Sequence, residues 1–221
     1  MSNKILILYE FTEQKNRTPS EYHTFQQGLS MKIVTDGFAT FFHEQINETD
    51  IIKMENGKPF YEKNSDLHFN ITHSRCMVAV AFSDCSIGID AESERPVRDR
   101  TIERVCTPKE AEYVYQEAEY VYQDPAQISR RFLHIWTLKE SILKETGIGL
   151  RVPLNQFSVL HALQDSVIWT QSNLDSEWRM ACVEQDSTVS FLLDNWPFVL
   201  SVTAAARRGQ MEIVTQEVHL A

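Results

Sequence analysis

Positive charge is in short supply in this chain: 21 Lys and Arg stand against 31 Asp and Glu, a formal net charge of −10. That balance argues against broad attraction to nucleic acid or to anionic membrane, so neither partner is expected. An anionic ligand would have to be met by a local basic cluster. Long apolar runs are missing as well. The opening run Ile5 to Tyr9 is halted by Glu10 and is too short for a signal or membrane-spanning segment, so a cytoplasmic protein is expected. Cysteine is sparse, and Cys76, Cys85, Cys106 and Cys182 include no CxxC pair and no histidine at zinc-finger spacing. Neither a disulfide scaffold nor a structural metal is favoured, and four small core residues are the expectation. What remains is a soluble, globular composition, and 221 residues suffice for one domain or two small ones.

Ile5 to Leu8 reads as a strand and Ser20 to about Gln45 as a helical stretch carrying Gly28 and Gly37. Asn56-Gly57-Lys58-Pro59 makes a turn. Leu67, Phe69 and Ile71 then alternate with His68, Asn70 and Thr72, the pattern of a strand with one buried face. Cys76 to Ser83 and Ser86 to Glu92 continue as strands. Thr107-Pro108-Lys109-Glu110 is a helix start, with Thr as cap, Pro first and Glu reaching back, and a helix to Asp124 is expected. A second helix, from about Gln127 to Thr146, ends at Gly147. Phe157 to Leu160, Val167 to Trp169, Trp178 to Val183, Val189 to Leu193 and Phe198 to Thr203 read as short strands. The expectation is an α+β protein of two lobes, each a small sheet with helices and a ligand cleft between them, divided as 1–95 and 96–221. A tandem heptad, Glu110 to Gln116 repeated over Glu117 to Gln123, reads as a lengthened helix with tyrosines packed along it; two copies are too few for a coiled coil.

Three constellations carry chemistry. In Ile87-Gly88-Ile89-Asp90-Ala91-Glu92 the strand period puts Asp90 and Glu92 on one face beside the gap at Gly88. Two neighbouring carboxylates repel, and a divalent cation relieves them; magnesium suits one or two carboxylates plus phosphate, though a solvated strand face explains the pair alone. On the helix Arg130 to Lys144, steps of four align Trp136, Glu140 and Lys144. Glu140 is a third metal ligand or a base and Lys144 a cation for phosphate, or the two form an ordinary intrahelical pair. The strand Phe69 to Arg75 delivers Thr72, His73 and Ser74 to a turn, where hydroxyl and imidazole donors can hold phosphate; a satisfied structural histidine is the alternative.

Gly57-Lys58-Pro59, Phe69-Asn70-Ile71-Thr72-His73-Ser74, Gly88-Ile89-Asp90-Ala91-Glu92 and Trp136-Thr137-Leu138-Lys139-Glu140-Ser141-Ile142-Leu143-Lys144 with Gly147-Ile148-Gly149-Leu150, in that order, resemble the surfactin-type 4′-phosphopantetheinyl transferases. The resemblance spans roughly Asn56 to Leu160 and implies two pseudo-symmetric α+β lobes with coenzyme A between them. It implies that Asp90, Glu92 and Glu140 hold Mg2+ against the coenzyme pyrophosphate and that Glu140 helps deprotonate the serine of an acyl or peptidyl carrier protein. By the same resemblance Lys144 and His73, with Thr72 beside it, contact the coenzyme phosphates, and Gly57 to Pro59 lies along the adenine. The arginine-bearing N-terminal segment of the family has Lys32 as its only basic counterpart between Ser20 and His43. Arg95, Arg98, Arg100 and Arg104 fall in the stretch that docks the acidic carrier helix. The implied protein is a monomer releasing 3′,5′-ADP. A magnesium-dependent phosphohydrolase and a non-catalytic carrier-binding module are the competing readings.

Overall fold

Apolar alternation in β1 (Lys4–Phe11) and β5 (Met77–Ser83) builds two cores at once. Ile5, Ile7, Tyr9, Met77, Ala79 and Ala81 point into one, and Leu6, Leu8, Val78, Val80 and Phe82 into another. The computed structural model describes residues 4–115, 124–160, 168–169, 179–185, 188–195, 197–206 and 212–220. Their first sheet runs β11 (Glu212–Glu217), β1, β5 and β4 (His68–His73); their second runs β6 (Ile87–Ser93), β10 (Phe198–Ala204), β9 (Thr188–Asn195), β8 (Arg179–Gln185) and β7 (Ile168–Trp169). A small hairpin pairs β2 (Ile51–Lys53) with β3 (Pro59–Tyr61).

The two sheets share the core formed by Ile5, Ile7 and Tyr9 on one side and Ile87, Ile89 and Val202 on the other. Their outer faces carry one long helix each, α1 (Pro19–Phe41) on the first and α4 (Pro125–Thr146) on the second. The layers are therefore helix, sheet, sheet, helix, and the architecture is α+β as the sequence suggests. The chain does not fill the sheets in order. β6 lies before residue 95 yet pairs with β10 in the second sheet, while β11, near the C-terminus, pairs in parallel with β1 in the first.

Helix α1 opens with a capping box between Thr18 and Glu21 and runs through Gly28 and Gly37 without a break. Two shorter helices, α2 (Asp99–Val105) and α3 (Pro108–Tyr115), precede α4, and α3 begins with the expected box: Thr107 N donates to Glu110 Oε2 at 2.7 Å. The remainder of the tandem heptad lies outside the described residues. Helix α4 starts two residues earlier than the periodicity suggests because Asp124 caps it, accepting from Ala126 N at 3.0 Å, with Pro125 in the first turn. It ends at Gly147 in the left-handed region, φ 70°.

Two expectations are corrected. Phe157 to Leu160 is not a strand; it follows a single 3₁₀ turn, Leu154–Gln156, because Val159 is drawn inward to donate its N–H to Glu110 Oε1 at 2.7 Å. The face of β4 carrying Asn70 and Thr72 is not solvated, since both residues are buried against β6. Among the described side chains Cys106 is buried while Cys76 and Cys85 are half-buried; all three are free, and the Cys182 side chain lies outside the described residues.

Candidate active site at the seam of the two sheets

The edge strand β4 of one sheet meets the edge strand β6 of the other, and side chains rather than a backbone ladder join them. Asn70 Oδ1 accepts from Ile89 N at 3.0 Å and Thr72 Oγ1 accepts from Ala91 N at 3.2 Å. A buried edge needs its N–H groups satisfied, and these two short polar residues do it. The Thr72 hydroxyl also donates to Asp90 Oδ1 at 3.3 Å. Thr72 therefore faces the Asp90 carboxylate rather than an open phosphate pocket.

Helix α4 lies directly over the polar face of β6. The gap at Gly88 is filled by helix backbone: a Cβ there would stand 2.1 Å from Ser141 O and 2.2 Å from Glu145 N. Further along the helix face the contacts are hydroxyl pairs, Thr137 with Ser201 and Ser141 with Thr203, both 2.8 Å. Small residues on both sides permit this approach, and it brings Glu140 and Lys144 onto the Asp90 and Glu92 strand. The intrahelical pairing of Glu140 with Lys144 is not what Lys144 adopts. Its ammonium donates to Asp90 Oδ1 at 2.7 Å, to Ile89 O at 3.0 Å and to Thr72 Oγ1 at 3.4 Å.

All three carboxyls hold protons more tightly than usual. Burial raises Asp90, opposed by Lys144 and Thr72. Burial raises Glu140 too, with repulsion from Asp90 adding to it. Glu92 is pushed up to about 7, first by burial and then by Asp90 and Glu140 against the pull of Arg95 and Lys144. Arg95 bridges Glu92 at 3.0 Å. Carboxyls raised by burial, and at Glu92 and Glu140 also by their acidic neighbours, make a site in want of positive charge. Asp90 Oδ2 is buried without a hydrogen-bond partner. Such an orphaned acceptor fits a cation, and oxygen donors of this kind suit magnesium. Among the described residues no three His, Cys, Asp or Glu side chains converge closely enough to form a ready cage.

His73 stands exposed at the end of β4. Its imidazole is held below its ordinary value, by partial burial of the ring and then by His23 and Lys144. The His23 ring on α1 lies 6.3 Å from it, edge to face. Lys32, the basic residue read from the sequence on this helix, is turned elsewhere and donates to Leu220 O at 3.2 Å. The structure thus puts a histidine beside His73 that the sequence reading missed, because no periodicity links residue 23 to residue 73.

The turn Gly57-Lys58-Pro59 sits between β2 and β3 and is tied to the end of α4. Asn56 Nδ2 donates to Gly147 O, and Lys58 Nζ donates to Ile87 O and Glu145 O, both at 3.0 Å. Burial lowers the Lys58 ammonium from its ordinary value. Lys58, Pro59, His68, Ser86, Glu145 and Gly147 line a cavity of about 320 Å³.

The family model of the 4′-phosphopantetheinyl transferase superfamily matches residues 86–197, just over half of the chain. The chain belongs to that superfamily. Its β6 and α4, with Asp90, Glu92, Glu140 and Lys144, fall inside the matched span. Among similar proteins are a 4′-phosphopantetheinyl transferase of Bacillus subtilis, 38% identical over 48% of this chain and 44% of its own, and 4′-phosphopantetheinyl transferase Sfp of Bacillus subtilis (strain 168), 36% identical over 52% and 50%. A third, 4′-phosphopantetheinyl transferase gsp of Aneurinibacillus migulanus, is 38% identical over 54% of this chain and 47% of its own. The chain spans about half the length of the curated relatives it matches.

Proposed function

We propose that the chain moves 4′-phosphopantetheine from coenzyme A to a serine of an acyl or peptidyl carrier protein and releases 3′,5′-ADP. The observation that carries this is the convergence of strand β6 and helix α4, which sets Asp90, Glu92 and Glu140 within one another's field beside Lys144. The serine Oγ bonds to the β-phosphorus as the bond to the 3′,5′-ADP oxygen breaks, and the serine proton goes to Glu140. A carboxyl raised from its ordinary value is better matched to that proton near neutral pH. Mg2+, held by Asp90, Glu92 and Glu140, would neutralise charge on the diphosphate. Lys144, freed from part of its bond to Asp90, would face the leaving phosphate, with His73 and His23 at the rim.

The cavity beside Gly57, Lys58 and Pro59 suits a nucleobase, being lined by Pro59, Phe60 and Leu67 together with polar residues such as Asn56 and Ser86. Arg95, Arg98, Arg100 and Arg104 are exposed around α2 and would steer an acidic carrier helix despite the acidic total. We keep 1–95 and 96–221 as the two functional lobes, with β6 and β11 exchanged between their sheets. No helix among the described residues is long and apolar enough to cross a membrane; a cytoplasmic monomer is the form we propose.

Mass spectrometry of the chain mixed with coenzyme A, Mg2+ and a panel of apo carrier proteins tests the reading. One phosphopantetheine should be added to at least one carrier. No mass gain on any carrier, or phosphate release without a carrier, overturns it.

A further inference from the structure

Lys139 and Glu110 are both completely buried, on α4 and at the start of α3, and their side chains meet at 2.6 Å. Every polar atom of the pair is used. The ammonium donates also to Val105 O at 2.9 Å and Leu154 O at 2.7 Å, with the Phe157 ring centroid 5.1 Å away. Glu110 Oε2 further accepts from Thr107 N and Oε1 from Val159 N, each at 2.7 Å. One side chain of α4 is thus bonded to the end of α2, to the cap of α3 and to the segment after α4.

An ion pair at such depth seldom stabilises a fold more than apolar residues of the same size would. What it does supply is direction. Successive helix residues are about 100° apart, so pinning Lys139 fixes the azimuth of Glu140, its neighbour. On the opposite side Gly88 sets how near the helix lies but, having no side chain, holds no angle. The hydroxyl pairs beside it are short and permissive. The β6 side thus sets the packing distance, with the flexible Lys144 side chain reaching Asp90, Ile89 and Thr72, while Lys139 anchors the opposite face to three separate segments.

We propose that the Glu110–Lys139 pair is a rotational lock on α4, a positioning device that turns Glu140 and Lys144 onto Asp90 and Glu92. This rests on the transfer reaction proposed above. The double variant Glu110→Leu with Lys139→Met leaves no buried charge unpaired and should unfold at a urea concentration no lower than either single variant. Its kcat for carrier modification should fall by about ten-fold or more, as expected for a misaimed group, while the KM for coenzyme A stays within about two-fold. The Mg2+ concentration that half-changes tryptophan fluorescence should rise several-fold, since Trp136 lies on the same helix one turn before Glu140.

A folded double variant with the kcat and Mg2+ response of the parent overturns the lock and leaves a purely structural pair. If the double variant does not fold, Glu110→Gln, which keeps the shape but removes the charge and one of the two accepting oxygens, decides by the same two measurements. A parent chain that modifies no carrier refutes the proposed function instead, and the lock is then judged on the Mg2+ response alone. A parent showing neither transfer nor Mg2+ response overturns both.

Discussion

Gly88→Ala adds one methyl group at the tightest point of the site, and its effect follows from the coordinates. The new carbon would lie 2.1 Å from Ser141 O, 2.2 Å from Glu145 N and 2.8 Å from the Lys144 carbonyl carbon. Non-bonded heavy atoms settle at about 3.5–4.0 Å, so the helix must retreat by more than roughly 1 Å, or β6 must bend. The opposing atoms are all backbone. No rotamer change relieves them, and the cost should fall at the upper end of the ~1–3 kcal/mol typical of overpacking. Against a total stability of about 5–15 kcal/mol the protein should still fold. Activity should suffer more, because α4 carries Glu140 and Lys144, and a misplacement of about 1 Å can cost on the order of 100-fold in rate. Urea unfolding gives the first quantity, and the initial rate of carrier mass gain, at matched folded fraction, gives the second. An alanine variant with the parent's midpoint and rate would refute the close packing of α4 on β6 as the basis of the site.

Two further outcomes follow from the electrostatics. The Glu92 carboxyl titrates near 7 in the folded chain against 4.5 for the ordinary group. A carboxyl raised by folding favours the folded state only while protonated, so in the metal-free protein Glu92 should contribute a loss of roughly 2–3 kcal/mol as pH climbs from about 4.5 through 7, opposing the gain that the lowered imidazole of His73 brings over much of the same window. Glu92→Gln should flatten that loss, read as urea midpoints at pH 5 and pH 8 in the presence of chelator; an unchanged pH slope would contradict the assignment. Lys144→Met removes the cation on Asp90 and should cost about 2 kcal/mol at pH 7, below the full penalty for a buried pair because Lys144 is 30% exposed. Added Mg2+ should restore part of that midpoint, and a variant as stable as the parent without Mg2+ would count against the Lys144–Asp90 bond.

Much of the site was legible because strand and helix periods place side chains independently of tertiary detail. The period of two put Asp90 and Glu92 on one face of β6, and steps of four aligned Trp136, Glu140 and Lys144 on α4. The cap at Thr107 and the stop at Gly147 were readable because their chemistry is local. Features that depend on what a strand meets were not. Asn70 and Thr72 alternate as solvated residues would, yet they satisfy the edge of β6 across a gap no local pattern encodes. Lys139, between Leu138 and Glu140, looks like an exposed helical lysine until α2, α3 and the segment at Leu154 close around it. The swap of β6 and β11 between sheets is likewise a long-range choice, since each strand alternates equally well for either sheet.

That swap bears on how the molecule is made. Lys4 pairs with Glu212, a separation of 212 − 4 = 208 positions, and the register continues to Tyr9 with Glu217. Pairings so remote in the chain raise contact order and slow folding, because a large loop must close before they form. During synthesis β1 leaves the ribosome long before its parallel neighbour, and one of its edges waits bare until the strand some 208 positions later has emerged. Nascent molecules should therefore be open to strand-to-strand association at that edge until β11 is made, and a chaperone that shields extended segments would raise the yield.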